Sequence, residues 1–139
     1  MPGSPVSLRI PPETRGAINE VMRRTGRDFS SVANELLTEG VKMRRIPGIV
    51  FADSPSGRAA RIGGTGLDVW EVVAEFQALG QEWGRLRQSF HWLSEAQLRA
   101  ALAYAAAYPE EIGAALDDEA SWTAERVWST FPFTRPPVR

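Results

Sequence analysis

Two stretches of this chain carry side chains suited to chemistry with a partner. Near the start, Ser7 and Arg9 alternate with Val6, Leu8 and Ile10. An Arg guanidinium is a planar fork that fits guanine edges or a phosphate, and a Ser hydroxyl bonds either. Near the end, Trp122, Trp128, Phe131 and Phe133 precede Arg135-Pro136-Pro137-Val138-Arg139. Aromatics and arginines dominate protein–protein hot spots, and a short helix followed by an extended segment suits docking along a groove.

The remaining candidates read more plainly. His91, the single histidine, lies between Phe90 and Trp92. No Ser, Asp or Cys constellation recruits it to catalysis, and one histidine is a poor metal site. It reads as a packed or surface residue. Gly63-Gly64-Thr65-Gly66 lacks the GK[ST] ending and the GxGxxG spacing of phosphate loops, so it reads as a strand-to-helix turn. Asp117-Asp118-Glu119 reads as a solvated spacer. The expectation is a chain without catalytic residues, cofactor or metal, and hence not an enzyme.

Composition agrees with a binding protein. The chain has 139 residues, 43% hydrophobic and 24% charged, which suits one or two small domains. Zero cysteines exclude disulfide frameworks and thiolate chemistry. No apolar run approaches the length of a membrane span. Met1-Pro2-Gly3-Ser4-Pro5 has neither the basic region nor the apolar core of a signal peptide, so a cytoplasmic setting is expected. Net charge is −1, but it is unevenly spread. Residues 1–47 carry eight basic and five acidic groups, net +3. Residues 48–108 are net −1 and residues 109–139 net −3. A basic front and an acidic rear suggest two different partners.

The elements that would position these groups follow from periodicity. Strict alternation over 6–10 predicts a strand with Val6, Leu8 and Ile10 on one face and Ser7 and Arg9 on the other. Pro12 to Thr25 predicts a helix with an apolar stripe of Ala17, Ile18, Val21 and Met22, stopped by Gly26. Asp28 is a fair N-cap for a second helix reaching about Arg44. Its apolar face, Phe29, Val32, Ala33, Leu36, Leu37 and Val41, is too wide for one helix and a lone strand to cover. A segment of about 45 residues is also short for unaided folding, so residues 6–44 should dimerise.

Pro47-Gly48 marks a boundary. Ile49–Phe51 and Arg58–Ile62 predict a hairpin around a five-residue loop, Asp53–Gly57. Asp68-x-x-Glu71 resembles a capping box opening a helix to about Leu79, with Trp70, Val73 and Phe76 or Gln77 inward. A short helix from Glu82 to Ser89 presents Trp83, Leu86 and Phe90. Ser94-x-x-Gln97 is a second capping box, before Leu98, Ala101, Leu102 and Ala105 at helical spacing. Pro109 should end that helix, and Glu110 to Leu116 add two more turns. Beyond it, a short helix bearing Trp122 and Trp128 should give way to an extended Phe131-Pro132-Phe133.

Two resemblances sharpen this reading. Val6-Ser7-Leu8-Arg9-Ile10-Pro11, with Gly26-Arg27 before a second amphipathic helix, resembles the ribbon-helix-helix superfamily of Arc-type and ParD-type repressors. The resemblance implies base contacts from Ser7 and Arg9 on a paired ribbon in the major groove. It places phosphate contacts at the start of helix two, at Arg27, Ser30 and Ser31. Pro5, at the first outward position, has no side-chain donor. Residues 48–116, with Gly64-Thr65-Gly66-Leu67-Asp68-Val69-Trp70-Glu71-Val72 and Leu98-Arg99-Ala100-Ala101-Leu102-Ala103-Tyr104, resemble a bacterial domain family formerly of unknown function. That family is associated with VapB-type antitoxins and with PIN-like ribonuclease toxins. Its wider pattern has Arg on both sides of Gly-Thr, where this chain has Gly63 and Gly66.

The expected fold class is mainly α. An N-terminal ribbon-helix-helix in an intertwined dimer (1–47) would precede a hairpin plus three-helix, homeodomain-like domain (48–116) and an extended tail (117–139). The expected function is that of a type II antitoxin. It would repress its own operon by binding operator DNA as a homodimer, and neutralise a PIN-like ribonuclease through Trp122, Trp128, Phe131, Phe133, Arg135 and Arg139. By that resemblance Arg135 or Arg139 would neutralise the toxin's acidic site. The alternatives are a stand-alone repressor with a sensing or oligomerisation domain, and a dimeric scaffold that binds no DNA.

Overall fold

The computed structural model describes residues 3–138. The chain divides into two compact units, with the division after Arg44. It is mainly helical, with one small antiparallel hairpin.

In the first unit, α1 runs Pro12–Thr25 and α2 runs Phe29–Arg45. Pro12 opens α1 where its missing N–H costs nothing. Gly26 closes it at φ 68°, in the left-handed region, donating to the Met22 carbonyl at 2.9 Å. Asp28 accepts from the Ser31 amide at 2.8 Å, which caps α2. Ile18 and Val32 are buried, yet Leu36, Leu37 and Val41 remain about half exposed along α2. The strand expected over 6–10 is absent: residues 3–11 have no regular structure and Val6 is 93% exposed. The reason is physical. A strand's N–H and C=O groups need a ladder partner, and a single copy of this chain supplies none.

In the second unit, β1 (Ile49–Ser54) pairs antiparallel with β2 (Gly57–Ile62), in a register from Ile49 opposite Ile62 to Ser54 opposite Gly57. The loop is therefore Pro55-Ser56 alone, not the five residues expected. Gly57 takes φ 116°, and the Ser54 hydroxyl donates to its carbonyl at 2.6 Å. Asp53 and Arg58, expected in the loop and beyond it, pair across the strands at 3.2 Å. The Gly63–Gly66 segment is the turn expected. Thr65 Oγ1 donates to the Ile62 carbonyl at 2.8 Å and accepts from the Leu67 amide at 3.0 Å.

Four helices follow: α3 (Val69–Ala78), α4 (Trp83–Ser89), α5 (Glu95–Ala107) and α6 (Pro109–Ala120). Glu71 accepts from the Asp68 amide at 2.8 Å at the start of α3. The Asp68 carboxylate is held by Arg61 Nε at 2.9 Å, which ties helix to hairpin. At the start of α5 the box is reciprocal: Gln97 N donates to Ser94 Oγ, and Ser94 N to Gln97 Oε1. Pro109 does more than end α5. It occupies the first turn of α6, so the expected three-helix cluster has a fourth member, whose Ile112 enters the core. The inward residues of α3 are Val69, Val72 and Val73, with Trp70 only half buried.

The core of this unit joins Ile49, Ala60 and Ile62 of the hairpin to Val69, Val72, Leu86, Leu98, Ala101 and Tyr104. Tyr104 is fully buried and its hydroxyl donates to Glu111, linking α5 to α6. Truncating a buried Leu removes transfer free energy and leaves a cavity. Leu98→Ala should therefore cost about 2–5 kcal/mol in urea unfolding. Ser94→Ala, which removes only a cap, should cost about 1 kcal/mol. A Leu98→Ala cost no larger than that of Ser94→Ala would contradict this core.

Candidate functional site

The sequence-predicted nucleic-acid residues fall into two groups. Ser7 and Arg9 lie on the extended, exposed segment before α1, and neither makes a hydrogen bond or ion pair among the described residues. Arg27, Ser30 and Ser31 lie together at the start of α2. Arg27 is not free there. Its guanidinium bonds Ser31 Oγ at 2.7 Å, the Ser31 carbonyl at 3.2 Å and Glu35 Oε1 at 2.9 Å. That fork clamps the α1–α2 turn onto the first two turns of α2. The Asp28 carboxylate also occupies the helix N-terminus, where an incoming phosphate would otherwise meet free amides. Ser30 remains exposed.

The predicted docking tail is organised by its own side chains. Helix α7 runs Ala124–Thr130, capped by Thr123, which accepts from the Arg126 amide at 3.2 Å. Trp122 therefore precedes the helix instead of riding on it. Phe131-Pro132-Phe133 is not extended either: a 3-10 turn spans Pro132–Thr134. Ring contacts explain the turn. Trp122 stacks on Phe131 with centroids 6.5 Å apart, and Phe131 meets Phe133 edge-on at 6.0 Å. Arg126 lies 4.2 Å over the Trp122 ring and Arg135 lies 5.9 Å over Trp128. Arg126 also donates to the Ser121 hydroxyl.

No described residue after Ser121 is buried, and Phe133 is 86% exposed. The tail is thus a folded aromatic element that rests on itself. Arg139 lies outside the described residues. Sequence reasoning missed Arg126 as a tail residue, because its approach to Trp122 depends on the cap at Thr123 and not on a shared helix face.

His91 is exposed, with its ring 5.3 Å from Trp92. Asp117, Asp118 and Glu119 form the exposed last turn of α6. Among the described residues no group of His, Cys, Asp and Glu is placed to hold a metal, and no helix is long and apolar enough to cross a membrane. Arg99 lies 4.7 Å over the Trp83 ring and bonds Glu95, which holds the Glu95 carboxyl below its usual range.

The Arg27 clamp has a direct consequence. Arg27→Lys keeps the charge but loses the planar fork. It should lower the stability of the N-terminal unit by about 1 kcal/mol, read as a lower urea midpoint of the helical signal. An unchanged midpoint would show that the clamp contributes nothing.

Comparison with known proteins bears on the hairpin and the helices after it. No curated protein and no solved structure matches the chain. Residues 49–105, from the first residue of β1 almost to the end of α5, match the family described as protein of unknown function DUF433.

Proposed function

We propose that this protein is the antitoxin of a type II toxin–antitoxin pair, with DNA contact at its front and toxin contact at its rear. One observation carries the reading: residues 121–138 hold four large aromatics in a folded element that none of the chain's own core covers. Exposed apolar clusters of this kind mark interaction sites. Stacking and cation–π contacts preorganise the element, which lowers the ordering cost of docking. The resemblance of residues 48–116 to antitoxin-associated domains supports the reading.

In this account the toxin is a PIN-like ribonuclease, whose metal site is a cluster of carboxylates. Trp122, Phe131 and Phe133 anchor the tail in an apolar groove beside that cluster. Arg135 leaves the face of Trp128 and pairs with the carboxylates, where a bidentate guanidinium displaces the bound cation. At the front, two copies pair residues 6–10 into an antiparallel ribbon, ribbon-helix-helix fashion. Val6, Leu8 and Ile10 then cover the exposed Leu36, Leu37 and Val41. Ser7 and Arg9 face the DNA major groove, where Arg binds guanine O6 and N7. Ser30 adds a phosphate contact, while Arg27 holds the turn that positions it.

Co-expression with the product of the neighbouring reading frame tests this. A chain ending at Ala120 should lose growth rescue from that product yet keep operator binding. Full rescue by the shortened chain would overturn the tail's role, and no rescue by the full chain would leave the stand-alone repressor. Arg9→Ala should weaken operator binding by about 1–3 kcal/mol in a titration at fixed salt. Unchanged binding would remove the ribbon from DNA and favour the scaffold.

A further inference from the structure

The second unit also carries a concave apolar surface that the chain leaves empty. A groove of about 350 Å³ runs between α3, α5 and α6. Val73 and Ile112, both buried, form its floor, and Phe76, Leu102, Ala105 and Leu116 its walls. No described residue of the tail lines it. The same chain thus presents a groove and, a few residues later, a protruding aromatic cluster.

Charge matches the two surfaces. Helix α6 exposes Glu110, Asp117, Asp118 and Glu119 beside the groove and has no basic residue. The described tail carries Arg126 and Arg135 against the single acid Glu125. Opposite charges at the rim of an apolar contact fix its register and favour encounter.

The tail leaves α6 through a hydrogen-bonded junction. Ser121 N donates to the Asp117 and Asp118 carbonyls, and Trp122 N donates to the Glu119 carbonyl at 3.1 Å. The Ser121 hydroxyl returns to the Asp118 carbonyl at 2.6 Å. These bonds carry the chain past the end of α6, whereas the groove lies along its earlier turns, Pro109 to Leu116. A convex patch complementary to a pocket elsewhere on the same molecule makes a contact between copies.

We propose that, without toxin, the aromatic tail of one copy seats in the α3–α5–α6 groove of a second copy, reciprocally. The contact does not depend on the antitoxin reading. Where both hold, the toxin and the second copy compete for the same aromatic rings.

The chain's lack of cysteine makes a disulfide trap clean. One full-length chain carries Thr130→Cys in the tail and another Ala106→Cys at the groove edge. Mixed under mild oxidation, they should form a covalent heterodimer. A control pairs Thr130→Cys with Asp53→Cys, at a hairpin position whose side chain is 91% exposed. The groove pair should link on the order of tenfold faster than the control, which reports any closeness due to the N-terminal units alone.

Adding Gly113→Glu to the Ala106→Cys chain should bring the rate down to that of the control. A Cβ at Gly113 meets nothing within 4 Å, so the change fits the fold while placing a charge in the groove. Phe131→Ala with Phe133→Ala, in the tail and off the core, should have the same effect. Equal rates for both pairs, or rates indifferent to these variants, would overturn the proposal. So would a link that forms only within a single chain carrying both cysteines.

Discussion

The second unit depends on one buried stripe of α5. Leu98, Ala101 and Tyr104 are almost wholly removed from water, on a helix that packs against α3, α6 and both strands of the hairpin. The hairpin packs its Ile49 and Ile62 face on this stripe, α3 supplies Val69 and Val72, and Tyr104 reaches α6 through Glu111. A small unit has little surplus of buried area, so a helix shared by the hairpin, α3 and α6 is where its stability concentrates. The reciprocal cap at Ser94 and Gln97 fixes where α5 starts and therefore which face turns inward.

The first unit shows the opposite balance. Two buried apolar residues, Ile18 and Val32, accompany a long α2 whose Leu36, Leu37 and Val41 stay half in water. Nothing in residues 3–11 covers them as a strand would. Arg27 spends its donors on the turn between the helices, not on an outside ligand. The unit thus has a rigid elbow and an unfinished apolar face. A second copy that pairs the N-terminal segments would complete that face and give the strand its ladder in one step.

Much of the helical architecture was legible in the sequence, because its signals are local. Gly26, Ser94-x-x-Gln97 and Pro109 each act through their own backbone, and the helices start or stop beside them. The hairpin's loop was less legible. Gly57 is a turn residue by type, but its positive φ serves the end of a strand, and Asp53 and Arg58 pair across it. In the tail, prolines argue for extension, whereas stacking among Trp122, Phe131 and Phe133 curls the chain into a 3-10 turn. Such ring contacts are decided by three-dimensional approach and leave no periodic trace. Of the candidate site, Ser7, Arg9, Trp122, Phe131 and Phe133 stand exposed, while Trp128 is half-buried. The private role of Arg27 was invisible, since it depends on the left-handed turn at Gly26 that brings the guanidinium back over Ser31 and Glu35.

The two ends of the chain are alike in one respect: each holds more apolar surface than a single copy covers. They differ in chemistry, with an exposed, irregular Ser–Arg alternation in front and a preorganised aromatic–Arg element behind. The central claim is that these ends serve different partners. Hydrogen exchange of the full chain with each partner tests it most directly. Operator DNA should slow exchange over residues 6–10 and the start of α2, and leave 121–138 unchanged. The toxin should slow 121–138 and leave 6–10 unchanged. Protection of the same residues by both partners, or a tail indifferent to the toxin, would contradict the account.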